Sequence, residues 1–597
     1  MALAYSSVMI SCNFGRDFPL NKATKNTTLK PAIKSFSQRT KVAVPQEPIV
    51  RRSGDYEPCI WDYNFFQSLR TDYTGVECNA RASVLKEDVK LILENVVDPL
   101  DQLELIDSLQ RLGLGYHFEE EIKRALEKIY NSDPTKNDKW EKNLHATALK
   151  FRLLRQHGYH MSSEVFRGFI GDERFKKSRA ADVTGMLSLY EASYASDGES
   201  LMEEAYSFAS KFLKECVKSI DDSALGMQVS QALELPQQWR IPRLDARWYM
   251  DIYERSSNMI PEVLKFAKLD FNIVQGLNQE ELKDVSSWWN KTALGHKLEF
   301  IRDRLGASFL WGVGISSKPQ HRYFRIQIAK VIQLITALDD VYDVYATLDE
   351  LELFTSVVQR WDVTSIAELP HYMKICFLTL YNLINEIAYD ILNEQNFDVL
   401  PQLRKSWTDL LESYLVEARW FHTGYQPTFD EFMRNGLVSI TGPIIAIQSY
   451  IFTSNPIRKE DMEFLESLPH VLRLASEIFR LSDDFGTSSN ELKRGDVPKS
   501  IQCYMMDKGV SEEVAREDMI SLMKMKWAAV MKCRFADDIP LDWSFVEMVL
   551  NLVRTAHCFY NAGDDGHGIE DGLTEHRISS LFTHPIPLLQ ETAIGKV

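Results

Sequence analysis

Three carboxylates close an apolar run. The stretch Leu334-Ile-Thr-Ala-Leu-Asp-Asp-Val-Tyr-Asp343 ends in Asp339, Asp340 and Asp343. At 3.6 residues per turn, Asp339 and Asp343 lie about 40° apart around a helix axis and share a face. Like charges four residues apart destabilise a helix, and acids near its C-terminal end oppose its dipole. A divalent cation between them removes both costs. With oxygen ligands only, and no His or Cys alongside, the chemistry is that of a hard ion, Mg²⁺ or Mn²⁺. A solvated acidic helix end has the same pattern.

A second cluster, Arg480-Leu-Ser-Asp483-Asp484-Phe-Gly-Thr487-Ser-Ser-Asn-Glu491, places Asp483, Thr487 and Glu491 at i, i+4 and i+8. On a helix these form one edge of carboxylate, hydroxyl and carboxylate, a chelating set for one Mg²⁺; taken singly, it is also a capped or solvated turn around Gly486. Basic groups accompany both edges: Arg302 and Arg304 before the first, Arg480 three residues before Asp483, and Lys499 eight after Glu491. Carboxylates interspersed with a few cations suit a metal-bound polyanion, and diphosphate fits because guanidinium forks grip phosphate oxygens bidentately. Ordinary surface ion pairs are the alternative. No GxxxxGK[ST] loop is present, which argues against a P-loop nucleotide site. The only Glu-x-x-His, Glu368-Leu-Pro-His371, contains a proline, which argues against a di-iron bundle.

Twelve Trp and 11% aromatic residues include Trp288, Trp289, Phe309, Trp311, Tyr342, Tyr345, Trp420, Phe421 and Tyr560. Most belong in a core. Next to a metal–diphosphate site, however, aromatic faces stabilise a carbocation without offering it a nucleophile. Thr441-Gly442-Pro443 interrupts an apolar helical run from Leu437 to Phe452, either exposing carbonyls to a pocket or kinking a buried helix.

The elements that must carry these residues are helical. Apolar residues recur at three- and four-residue spacing in Val89–Val97, Leu103–Leu112, Leu144–Leu154, Leu201–Val217 and Ile260–Val274, and proline-containing breaks separate the periodic segments. The expectation is an all-α chain of two helical domains dividing near residues 255–275, taken as 51–265 and 266–597. The chain has 597 residues, is 45% apolar and carries a net charge of −17. That charge argues against nucleic acid as a partner, and no segment reads as long enough to span a membrane. Eight scattered cysteines without a CxxC pair read as reduced packing residues. Residues 1–50 differ. Seven Lys/Arg against Asp17 and Glu47 give +5, leaving −22 on the remainder. A basic, hydroxyl-rich, acid-poor leader reads as an organelle transit peptide, with a plain disordered tail as the alternative. Just after it, Arg51-Arg52 and Trp61 read as a strap laid over another domain, or as the basic flank of a cleavage region.

At these residues the chain resembles the plant terpene synthases, specifically their monoterpene synthase branch, over about residues 45–597. Asp339-Asp-Val-Tyr-Asp343 resembles the DDxxD motif. Asp483 to Glu491 resembles the second metal motif, with Thr487 in its Ser place. Arg302-Asp-Arg304 resembles the RxR motif, and Arg51-Arg52 with Trp61 the RRx8W motif. The runs Ser188–Ser193, Arg243–Trp248 and Gly495–Lys499 are also family-like. The resemblance implies a relic class II-type α-barrel followed by a class I α-bundle. It implies three Mg²⁺, with Mn²⁺ as an alternative ion: Asp339 and Asp343 would hold two, and Asp483, Thr487 and Glu491 the third. Asp340 would sit behind these ligands, pairing with a basic residue. Arg302, Arg480 and Lys499, with Arg304 nearby, would grip the diphosphate, and Trp311 and Tyr560 would face the cation. The implied reaction is ionisation of geranyl diphosphate in a plastid, by a monomer or homodimer. Synthases of farnesyl or dimethylallyl diphosphate are the nearest rivals, and a non-catalytic helical scaffold a more distant one. The segment Asn561-Ala-Gly-Asp-Asp-Gly-His-Gly568 departs from the family's shorter Gly-Asp-Gly lid turn.

Overall fold

The computed structural model describes residues 51–54, 56–132, 143–170, 182–217, 223–533, 539–560 and 572–588, the side chains at 489–490 and 493–494 excepted. The leader and the Asn561–Gly568 turn therefore lie outside the described residues. Among the described residues every regular element is helical.

The N-terminal part is built of short amphipathic helices. Glu119–Tyr130 is representative: three acids fill its first turn, where they favour the helix dipole, and Ile122, Ala125, Leu126 and Ile129 bury one stripe. Pro99–Arg111 begins at Asp98, whose side chain accepts from the Leu100 and Asp101 amides, with proline in the first turn where no donor is lost. A separate apolar cluster lies within residues 144–232, while the main core runs from Phe66 to Ile586.

The elements that position the site follow Pro261. Helix α1 (Pro261–Thr292) is long and largely buried. The expected division at 265/266 falls inside it, so the chain passes from one region to the next as continuous helix. It packs against Val76–Asn95 on one side and against α2 (Leu305–Ile315) and α3 (Arg322–Asp340) on the other. Every residue of α2 is buried, as befits a helix that is apolar all round. Helix α3 is buried over nearly its whole length and runs into a π-helical turn, Val341–Tyr345. Then come α4 (Leu400–Thr423), α5 (Phe429–Ser439), α6 (Gly442–Thr453), α7 (His470–Arg494), α8 (Glu512–Cys533) and α9 (Trp543–Tyr560).

Two stretches do have the length and hydropathy of a membrane-crossing helix, His371–Gln395 and Phe429–Thr453, which corrects the expectation that none would. The second is 78% buried within the protein and is broken between α5 and α6. Its apolar surface is used up in walling the interior.

Candidate active site

The two acidic edges meet. Asp339 and Asp343, from the end of α3 and its π turn, line a cavity that is also lined by Asp483 and Glu491 of α7. The cavity encloses about 750 Å³ of space not filled by protein, part of it open to solvent. Its polar end carries Arg302, Arg480 and Lys499; its apolar end is made by Trp311 of α2, Ile332 and Ile335 of α3, Ile445 of α6, Phe479 of α7 and Tyr560 of α9. The π turn is a local widening of the helix, a device common at functional sites, and it leaves Asp343 on the cavity side with Asp339.

Asp340 faces the other way. It is fully buried; Oδ2 accepts from the Arg302 backbone N–H at 2.6 Å and Oδ1 from Arg302 Nε at 2.9 Å, while the same guanidinium donates to Asp339 at 2.7 Å. Burial pushes the Asp340 carboxyl up, and Arg302 opposes that push. The second motif repeats the arrangement. Asp484 is fully buried, accepts from the Ser500 amide at 2.9 Å, and pairs with Arg480, which also pairs with Asp483.

The carboxylates crowd one another. Asp343 is held well above the usual carboxylate range, first by burial, then by Asp339, Glu417 and Asp496, with Lys499 pulling the other way. For Lys499, burial disfavours the charge, but Glu491, Glu417 and Asp343 outweigh it and hold the ammonium charged. Arg480 is likewise kept cationic by Asp484, Glu417 and Glu491 against its burial. Among the described residues no three His, Cys, Asp or Glu side chains converge on one point. The donors are instead two all-oxygen pairs, Asp339–Asp343 and Asp483–Glu491, on facing walls. That donor chemistry fits Mg²⁺ whose remaining ligands come from water and a phosphorylated substrate.

Two residues expected at the metal–diphosphate site are placed elsewhere than in the cavity lining, and Trp61 is expected only as the strap's anchor. The Thr487 hydroxyl donates to the Asp483 carbonyl at 3.0 Å, one turn back along α7. Arg304 is buried and donates to the Glu57 carbonyl at 2.9 Å. Trp61 sits beside Phe65, with ring centroids 4.5 Å apart, and close to Gly306. The strap itself crosses the polar end. Arg51 forks onto Glu350 at 2.8 Å and lies over the rings of Tyr345 and Tyr372; Arg52 donates to Asp496 at 2.7 Å and to the Asp343 carbonyl at 3.1 Å, over the ring of Phe421.

Several cavity residues carry no sequence motif. Tyr414 and Glu417 of α4 line the cavity, and Glu417 is buried, accepts from Asn435 at 3.0 Å and lies 4.0 Å from Lys499. Their signal was an acid three residues after a tyrosine on an otherwise apolar helix face. Phe479 is another; it lies 5.3 Å from Trp311, which stacks on Phe559 at 4.9 Å.

The break between α5 and α6 shapes the wall. Thr441 takes a left-handed backbone, φ 73°, uncommon for a β-branched residue, and its amide donates to the Val438 carbonyl at 2.9 Å. Gly442 permits close approach to α7: a Cβ there would stand 2.2 Å from Ser476 Oγ. Ser439 and Ile440, at the C-terminal end of α5, line the cavity.

The chain is similar to known proteins over most of its length. Residues 60–233 match the family model "Terpene synthase, N-terminal domain" and residues 290–529 match "Terpene synthase family, metal binding domain". A protein named chloroplastic myrcene synthase, from Quercus ilex, is 51% identical over 90% of this chain and 90% of its own. One named (−)-α-terpineol synthase, from Vitis vinifera, is 51% identical over 91% and 92%. A structure of limonene synthase with 2-fluorolinalyl diphosphate superposes with a TM-score of 0.86 at 42% identity, covering 90% of this chain and all of that one. Isoprene synthase from grey poplar leaves, holding three Mg²⁺ ions and dimethylallyl-S-thiolodiphosphate, gives 0.81 at 42% identity, with 89% and 100% covered.

Proposed function

This chain belongs to the terpene synthase family, and from that premise we propose that it is a monoterpene synthase ionising geranyl diphosphate in the plastid. The observation that carries the reading is the pairing of Asp339–Asp343 with Asp483–Glu491 across one cavity whose far end is Trp311, Phe479 and Tyr560. Relatives named for monoterpenes support the ten-carbon substrate, and the basic leader together with relatives named chloroplastic supports the compartment. The division of labour we propose is a supporting domain over 51–265 and a catalytic domain over 266–597.

Mg²⁺, three ions by analogy with the isoprene synthase complex, would be held by Asp339, Asp343, Asp483 and Glu491, with Thr487 turned from its carbonyl bond; it supplies Lewis acidity to the leaving diphosphate. Arg302, Arg480 and Lys499 bind the diphosphate oxygens and take up charge as the C1–O bond breaks and both electrons leave with oxygen. Asp340 and Glu417 hold Arg302 and Lys499 at the cavity edge. The C10 allylic cation then lies against Trp311, Phe479 and Tyr560, whose π faces stabilise it without bonding to it, while the strap of Arg51 and Arg52 narrows water access. Loss of a proton gives a hydrocarbon plus diphosphate; addition of water, then loss of a proton, gives an alcohol.

Incubating the protein with Mg²⁺ and, separately, geranyl, farnesyl and dimethylallyl diphosphate, followed by gas chromatography, tests the substrate. Volatile C10 products from the first at the highest kcat/KM are expected; preference for either of the others overturns the assignment. Asp339→Ala and Glu491→Ala should each abolish diphosphate release, and wild-type release would remove the site.

A further inference from the structure

The second metal edge is braced from the N-terminal domain through a buried relay. Asp483 sits on α7 between two points where that helix is pressed onto α9. One is Gly486, where an added Cβ would stand 2.6 Å from the Tyr560 carbonyl oxygen. The other is Ser482, whose hydroxyl lies 3.2 Å from His557 Nδ1. Ser482 and Gly486 are four residues apart and share a face. Asp483 is about 100° further round, so the rotation of α7 at Ser482 decides where the Asp483 carboxylate points.

His557 has one consistent hydrogen-bonding state. Trp527 Nε1–H of α8 donates to its Nε2 at 2.8 Å, so Nε2 is the acceptor and Nδ1 carries the proton. Nδ1–H then donates to Ser482 Oγ, whose own O–H donates to the Ile478 carbonyl at 2.8 Å. Over this pair lies Trp239, with its ring centroid 4.8 Å from His557 and 5.8 Å from Trp527, at interplanar angles of 12° and 18°. Trp239 belongs to the N-terminal part of the chain, in a 3₁₀ turn, Gln237–Trp239. That turn is pinned on both sides: the Gln237 amide donates to Glu191 at 3.0 Å, and Arg554 Nε of α9 donates to the Gln238 carbonyl at 2.8 Å.

We infer that Trp239 and His557 are positioning residues for Asp483: the indole plate fixes the imidazole, the imidazole fixes Ser482, and Ser482 fixes the rotation of the metal-binding edge. The N-terminal domain thereby sets how tightly the second edge takes its ion. The inference rests on the reading of this cavity as a Mg²⁺–diphosphate site.

Trp239→Ala, Trp239→Phe, Ser482→Ala and Asp483→Ala in the full chain test it. Two readouts apply: the Mg²⁺ concentration giving half-maximal diphosphate release, and the Mg²⁺ concentration at which inorganic pyrophosphate raises the thermal midpoint, which needs no turnover. Trp239→Ala and Ser482→Ala should each raise both concentrations about fivefold or more, with KM for geranyl diphosphate at saturating Mg²⁺ changed less than twofold. Trp239→Phe, which keeps a plate over the imidazole, should recover most of the loss. A lowered melting temperature with unchanged Mg²⁺ dependence in Ser482→Ala overturns the relay, even if Trp239→Ala fails to fold. If Asp483→Ala shifts Mg²⁺ dependence while Ser482→Ala and Trp239→Ala do not, only the relay is lost. If Asp483→Ala shifts nothing, the site assignment goes with it.

Discussion

Replacing Asp340 by Asn isolates the role of the buried acid in the first motif. Asp340 is fully buried and Arg302 is 5% exposed; the carboxylate accepts from the Arg302 amide at 2.6 Å and from Nε at 2.9 Å, while Asp339 holds the far end of the guanidinium at 2.7 Å. Asparagine keeps one acceptor oxygen and turns an NH₂ toward a donor. One buried N–H loses its partner, at about 1–3 kcal/mol, and the guanidinium loses half its counter-charge. Breaking a buried ion pair costs about 3–5 kcal/mol. Because Asp339 remains paired, the low end applies, about 3 kcal/mol. Arg302 then leans wholly on Asp339, which competes with any ion held there, so the Mg²⁺ concentration for half-maximal activity should rise about tenfold, equivalent to about 1.4 kcal/mol. Urea unfolding gives the first number and a Mg²⁺ titration the second. The double substitution Arg302→Met with Asp340→Leu should recover most of the stability, since apolar replacement of a buried pair is close to neutral, while activity stays lost. Stability within 0.5 kcal/mol of wild type in Asp340→Asn (a threshold on the order of ordinary surface-substitution scatter), together with unchanged Mg²⁺ dependence, refutes the reasoning.

Burial lowers the His557 pKa from 6.5 to about 3. A histidine depressed in the folded state gives stability that is full above 6.5 and is lost as pH falls from there toward about 3, at about 1.4 kcal/mol per pH unit. Unfolding free energies from urea titrations at pH 7.5 and 5.5 should therefore differ by about 1.4 kcal/mol more in wild type than in His557→Gln. Gly486→Ala would force the Tyr560 backbone away from α7, costing about 1–3 kcal/mol of overpacking and raising the Mg²⁺ concentration needed more than KM; a wild-type Mg²⁺ profile would count against close α7–α9 contact. Arg51→Ala removes the fork onto Glu350 and the contacts with two rings, and should lower kcat/KM several-fold while raising the alcohol share of products on gas chromatography. Glu350 is held down to about 2, with burial opposing and Arg51 leading the lowering. Its contribution is full above 4.5 and lost only as pH falls toward 2, so strap pairing should survive at pH 5, as proteolytic protection of residues 51–61 would report.

Residue spacing made both acidic edges readable, because helical periodicity turns i, i+4 and i+8 directly into a shared face. The same arithmetic placed Arg480 beside Asp483. It put Thr487 on the same helix face, but it could not show that the hydroxyl bonds its own preceding turn, a local bond that competes with any ligand. It did not reach Tyr414, Glu417 or Phe479, which sit three and four residues from ordinary core positions and acquire their meaning only when α4 and α7 face α3. Arg304 turned toward the strap because its guanidinium met the Glu57 carbonyl, a contact 247 residues away in sequence. The division near 265 left no linker to read because α1 serves both sides. Trp239 and His557 carried no motif at all, and their relation exists only in tertiary structure.

The doubled aspartates have a common logic. Adjacent residues on a helix point about 100° apart, so a pair at the cavity edge must turn one acid in and leave the other at the opening. In both motifs the buried member does two jobs. Asp340 accepts from the Arg302 backbone amide and its guanidinium; Asp484 accepts from the Ser500 amide and pairs with Arg480. Each therefore ties a segment remote in sequence to the cavity rim, the Arg302 loop in one case and the Lys499–Ser500 turn in the other. Each also aims an arginine at the cavity acid beside it. Without an ion, that arginine partly neutralises its cavity-lining neighbour, which limits repulsion in a cavity already crowded with carboxylates. Were cations held by Asp339 and Asp483, as proposed, the same guanidinium would be free to turn toward phosphate oxygens without leaving its buried anchor. On that reading the second aspartate of each pair would keep the cationic grip in place while the first serves as ligand.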